Sequence, residues 1–155
     1  MPEPTGQDAI LYVQLFNSTQ TEAQVVARSW VFSKFKAKNY EDLDQQHPVG
    51  SSERTQLTTV MAFFESVGVL VSRGLLSEDV YFDGPLGFEF LWPLVKPLIP
   101  GWQKAGGSEA TWENVQWLGQ RYEVWRKESW KPKLEAIPPD KPPEKQEPHV
   151  RGFQH

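Results

Sequence analysis

Residues 63–80 read FFESVGVLVSRGLLSEDV, and whether this run lies in a membrane or in a protein core decides the fold. A spanning helix needs about 20 mostly apolar residues. The most apolar part, Val67 to Leu76, follows Glu65, contains Arg73 and is interrupted by glycines. Upstream, Leu57, Val60, Met61, Phe64, Val67, Gly68 and Val71 recur at steps of three and four and form one seam. Phe63 and Leu70 widen it onto a neighbouring face, so a helix from Ser52 to Arg73 is expected at the centre of a bundle. Ser52 would cap it and Glu53 favours its first turn. Gly68 costs about 1 kcal/mol relative to Ala in a helix interior, which points to a close neighbour. Gly74 reads as a left-handed C-cap with Leu75 or Leu76 folding back, and Ser77 with Glu78 and Asp79 starts a short helix.

Outward from this centre the remaining pattern is also helical. DAILYVQLF (residues 8–16) has strand-forming residue types but i,i+4 pairs at Leu11–Leu15 and Tyr12–Phe16, and it is read as helix. Thr19 and Glu22 have the spacing of a capping box, and Ala23, Val26, Ala27 and Trp30 carry a helix from about Thr21 to Ala37. KNYEDLDQQHPVGSS reads as a loop. A helix from about Pro85 should kink near Trp92 and end before Pro100, with Gln103 to Ser108 a loop. Trp112 to Lys127 is the last helix, with Val115, Leu118, Tyr122 and Trp125 on its seam. Residues 131–155 hold six of the thirteen prolines. The expectation is all-α: one compact bundle of about five helices over residues 1–130, then a disordered Pro-rich tail from 131 to 155.

Composition narrows the function. The net charge of -4 is dispersed, whereas nucleic-acid binding needs clustered cations. Lys34, Lys36 and Lys38 are better explained by a helix C-terminus. The absence of cysteine excludes thiolate chemistry and disulfides and suits a cytoplasmic location. MPEPTGQDAI has neither a basic nor a long apolar region, so no signal peptide is expected, and no basic amphipathic helix suggests membrane attachment. No P-loop, dinucleotide fingerprint or G-x-S-x-G elbow is present. No cofactor is expected. His47, His149 and His155 lie outside any i,i+4 metal-ligand pattern, so no catalytic or metal role is assigned to them.

Two glutamates stand among bulky apolar residues: Glu65 after Phe63-Phe64, and Glu89 in GFEFLW. A buried carboxylate needs a partner or a raised pKa. Arg28, Arg73 and Arg121 are available on helices expected nearby. The structural reading is a half-buried ion pair fixing helix register, and the functional one a carboxylate and arginine site in an aromatic pocket. Trp117 and Trp130 fall off the seam of the last helix and are candidates for an exposed interaction surface.

Taken in order, Phe64-Glu65, Gly68, Arg73-Gly74, Leu76 to Asp79, Trp92 and Lys96-Pro97, with Ala27-Arg28 upstream, form a spaced pattern over about residues 8–125. It resembles a family of uncharacterised bacterial proteins known only as a helical domain of unknown function; Pro93 departs from the pattern. The resemblance implies an all-α fold and a bacterial origin, and supplies no activity. The leading expectation is a non-enzymatic interaction or regulatory module with a protein partner or self-association, and no nucleic acid or membrane. The alternative is a small-molecule-binding protein or enzyme using Glu65, Glu89 and Arg73.

Overall fold

Short polar side chains set where most of the helices begin. The computed structural model describes residues 3–136. Its helices are α1 (Gly6–Ser18), α2 (Glu22–Ser33), α3 (Tyr40–Gln46), α4 (Ser52–Ser72), α5 (Glu78–Asp83), α6 (Phe88–Val95), α7 (Ile99–Gly106) and α8 (Glu113–Glu128). A 3-10 turn, Lys133–Ala136, follows. The fold is all-helical among the described residues. Thr5, Thr21, Asn39, Ser51 and Ser77 each accept a bond from the backbone N–H three residues on, which satisfies one of the free donors at a helix start.

Among the described residues eight α-helices stand where five or so were expected, and the extra ones have local causes. The stretch read as a loop after Lys38 contains α3, a polar helix anchored by one buried apolar residue, Leu43. The kinked helix expected from about Pro85 to before Pro100 is a shorter one, α6, and a separate helix, α7, starts at Ile99. Pro93 lies inside α6, but Pro100 sits in the first turn of α7, where a missing N–H costs nothing. α7 then runs through the residues expected to be a loop, ending at the left-handed Gly107. The capping box lies at Thr5 and Asp8, not at Thr19 and Glu22; Thr19 closes α1 instead. Ser51, one residue earlier than expected, caps α4.

α4 is the centre of the assembly, packed along α2 on one side and α8 on the other. All seven residues of the expected seam are buried, and Phe63 and Leu70 are partly buried against the core. Each fully buried apolar side chain of this size contributes about 1.5–3 kcal/mol. By length and composition α4 could cross a membrane, yet its apolar seam is occupied by neighbouring helices. It ends as expected: Gly74 is left-handed (φ +70°), and the N–H groups of Leu75 and Leu76 return to the Leu70 carbonyl. Leu76 is the leucine that folds into the core. A second aromatic cluster joins α5, α6 and α8, with Phe82 5.4 Å from Tyr122 and 5.7 Å from Trp125 between ring centroids. α1 packs on α5, and α3 on α7. The tail enters the structure only as far as 136, so the flexibility expected beyond it concerns residues outside those described.

Gly68 permits a close approach of α4 and α8. A Cβ there would lie 2.6 Å from the carbonyl oxygen of Asn114, a backbone atom that cannot yield without moving α8. Gly68→Ala gains about 1 kcal/mol in helix propensity. The overlap outweighs that gain, and a net loss of about 1–3 kcal/mol is expected. The check is the urea unfolding midpoint, and an unchanged or raised midpoint would contradict the close packing.

Candidate functional site

The first turn of α8 carries the geometry that explains Glu65. α8 begins after Trp112, a left-handed residue (φ +56°) with no capping side chain of its own. Glu65 on α4 supplies the acceptor instead. Its Oε2 accepts from the Val115 N–H at 2.9 Å, and its Oε1 from the Asn114 N–H at 3.3 Å and Asn114 Nδ2 at 2.9 Å. The helix dipole adds to the attraction for a carboxylate at that end. Glu65 therefore meets no arginine; its partners are the N–H groups of α8.

The other candidates separate. Arg73 is exposed at the end of α4, and no ion pair engages it among the described residues. Arg121 makes a two-pronged ion pair with Glu78, at 2.7 and 3.0 Å, which raises the guanidinium pKa. Trp117 is half-buried against the core. Trp130 is exposed, with the Arg126 guanidinium 4.0 Å from its ring centroid.

Arg28 and Glu89 are the two candidates brought into one neighbourhood. Arg28 donates to the Leu86 carbonyl at 2.6 Å and to Gln24 Oε1 at 3.1 Å, and its guanidinium lies 4.9 Å from the Phe63 ring centroid and 5.1 Å from that of Phe64. Burial pushes its pKa down, offset in part by Tyr81 and Glu89. Nη2 of Arg28 and Oε2 of Glu89 are both buried without a hydrogen-bond partner, and the two groups do not form a direct ion pair. The arrangement orders the start of α6, because Leu86 is itself a strained left-handed residue (φ +56°).

A cavity of about 810 Å³ opens between α1, α5, α8 and the 3-10 turn, lined by Tyr12, Asp79, Asp83, Trp125, Ser129 and Lys133 among others. Asp79 and Asp83 are one turn apart on α5. Asp79 Oδ1 accepts from the Trp125 indole N–H at 2.9 Å, and Lys133 Nζ donates to Asp83 at 2.6 Å. No imidazole among the described residues lines this cavity. Asp79 was legible only as a favourable first-turn acid, and nothing in the sequence placed Trp125 beside it. Among the described residues no group of three or more His, Asp or Glu side chains could hold a metal. His47 packs edge-on against Trp30, with centroids 5.1 Å apart.

The outward surface of α1 is a different kind of site. Asp8 is the one charged residue of this helix, and it is turned inward: Oδ2 accepts from the Thr5 N–H and Oδ1 from the Ser77 N–H, each at 2.7 Å. Tyr12 also points inward and donates to the Gly84 carbonyl at 2.8 Å. What remains outside is Ile10, Val13 and Phe16, exposed to 54%, 55% and 48%, among uncharged neighbours.

A family model described as a domain of unknown function, DUF4760, matches residues 6–122. The chain belongs to this family. The match runs from the first residue of α1 into α8, so both the Glu65 cap and the α1 surface lie inside the DUF4760 domain. No curated protein and no solved structure matches the chain.

Two measurements check the polar ties of this DUF4760 domain. Glu65→Ala leaves the first turn of α8 without its acceptor, and a loss of about 1–2 kcal/mol is expected from chemical unfolding, with Glu65→Gln losing less. The second concerns Asp8, whose carboxyl is held below the usual aspartate range by the Thr5 and Ser77 N–H groups. Its contribution is full above the unfolded value of about 3.9 and is lost as pH falls through the lowered native value. The melting-temperature gap between wild type and Asp8→Asn should therefore be widest near neutrality and close in acid. A gap independent of pH would count against the charged clamp.

Proposed function

We propose that this domain is a non-enzymatic protein-interaction or regulatory module of a bacterial cytoplasm. The observation that carries the reading is the outer face of α1, where Ile10, Val13 and Phe16 stand about half exposed on a helix whose exposed residues are all uncharged. A solvated helix face of a soluble domain is ordinarily charged or polar. A helix that keeps apolar groups outside and its one acid inside is built to be covered. The carboxylates give further support, since Asp8, Glu65, Glu78 and Glu123 all hold backbone or side-chain donors of other helices.

A second reading, a small-molecule-binding protein, draws on the cavity beside α5. There the carboxylates are Asp79 and Asp83, and the aromatic wall is Trp125. Cationic ligands would suit that lining. The pair differs from Glu65 and Glu89, which share no hydrogen-bond partner among the described residues.

Affinity capture from native cells tests the first reading. Wild-type protein should retain a stoichiometric partner or a second copy of itself, and Val13→Glu should lose it while keeping the same helical circular dichroism. If nothing is retained and the protein does not self-associate, the interaction reading fails. A thermal shift with small cations that disappears in Asp79→Asn would favour the second reading instead.

A further inference from the structure

We infer that the cavity beside α5 takes a small aliphatic diamine, and that Lys133 is a tethered competitor for the same carboxylates. The inference rests on the small-molecule reading above and adds to it a ligand class and a means of regulation. Asp79 and Asp83 stand one turn apart on α5, so they share a face, with Cβ atoms about 6 Å apart. Both line the cavity. A four-carbon diamine, when extended, sets its two nitrogens about 6 Å apart as well. One oxygen of each carboxylate is already engaged: Asp79 Oδ1 accepts from the Trp125 indole N–H, and Asp83 Oδ2 accepts from Lys133 Nζ. The second oxygens, Asp79 Oδ2 and Asp83 Oδ1, accept no hydrogen bond from the described residues.

Lys133 supplies the observation that two acids alone would not. It seats an ammonium group on Asp83 at 2.6 Å, and it is delivered by the 3-10 turn rather than by a helix that walls the cavity. The two side chains of this ion pair are 76% and 50% exposed, so water weakens the tie and a soluble amine can replace it. The charged lining is two carboxylates and one ammonium with Lys133 seated, and two carboxylates with it withdrawn. The Tyr12 phenol on the cavity wall has its pKa raised by burial, then by the charges of Asp83 and Glu89, so the wall senses negative potential. Trp125 is buried and fixed in orientation by Asp79, and its ring gives the methylene chain of a diamine a rigid apolar surface. A metal ion suits the place less well, since no group of three or more acid or imidazole side chains among the described residues could hold one. A single ammonium would leave one of the two carboxylates unanswered.

Isothermal titration of the full chain with 1,4-diaminobutane tests both parts. The expected result is saturable one-to-one binding, weakened roughly tenfold or more in Asp79→Asn and in Asp83→Asn. Asparagine keeps an acceptor for the Trp125 indole, and unchanged circular dichroism confirms that Asp79→Asn is folded. Lys133→Gln should bind roughly twofold to fivefold more tightly than wild type, the range that an exposed ion pair commands. 1-Aminobutane, which answers only one carboxylate, should bind roughly tenfold more weakly than the diamine. Glu41→Gln removes an exposed acid on α3 and should leave the affinity unchanged. An equal loss in Glu41→Gln marks diffuse attraction to an acidic protein and overturns the proposal. Equal affinity for the two amines overturns the diamine assignment. Equal affinity in wild type and Lys133→Gln overturns the competitor role and leaves the small-molecule reading standing. Absence of binding to both wild type and Lys133→Gln overturns the proposal, and the small-molecule reading falls with it when other small cations give no thermal shift either.

Discussion

The bond set between Glu65 and the first turn of α8 is the constraint on which the rest of the structure depends. Three residues after Glu65 comes Gly68, where the two helices touch through backbone rather than side chain. Together they fix both where α8 starts and how close it lies. α8 then places Arg121 on Glu78, Trp125 on Asp79, and Glu123 within reach of Trp92 and Lys96. Were α8 shifted by one residue, each of these side chains would rotate by about 100° and miss its partner.

Acidic side chains in this domain work mainly as acceptors for donors that would otherwise be left unpaired. Glu65 serves backbone N–H groups of another helix, Asp8 serves two backbone N–H groups far apart in sequence, and Glu123 serves an indole and an ammonium. The Lys96 ammonium, with the Trp92 indole, holds Glu123 below the ordinary carboxylate value. A buried arginine, Arg54, does the converse: it donates to the His47 carbonyl and lies 4.7 Å from the Trp102 ring centroid. Unpaired buried polar groups are costly, so such ties are specific even where their net energies are modest. They locate helices that have little apolar surface to share.

How much of this was legible in the sequence follows from the range of each interaction. The seam of α4, the Gly74 cap and the Ser77 start are set by near neighbours in the chain, and all were readable. α3 was not, because one buried leucine gives no periodicity. Its start signal, Asn39 followed by Glu41 and Asp42, stood in the open but resembled loop composition. Gly68 announced a close contact without naming Asn114. Glu65 announced a buried acid, and arginine was the reasonable partner by charge; the helix N-terminus that took the role lies 49 residues away. The Arg28 and Glu89 neighbourhood was half legible, since residue types suggested attraction but could not show that each would keep an unpaired atom. Trp117 fell off its seam as read, yet a neighbouring surface covers it.

α1 touches the body through few apolar side chains, Leu11 and Leu15 among them, and through two polar attachments one turn apart. An apolar stripe by itself resists lifting a helix away but resists rolling poorly, because neighbouring apolar groups can exchange places at little cost. Asp8 and Tyr12 act as two pins along one line of the cylinder. They leave α1 without rotational slack. The pattern that this helix shows to the outside is thus determined as firmly as the pattern it buries, and damage to an interior pin would be felt first as a loss of definition at the surface.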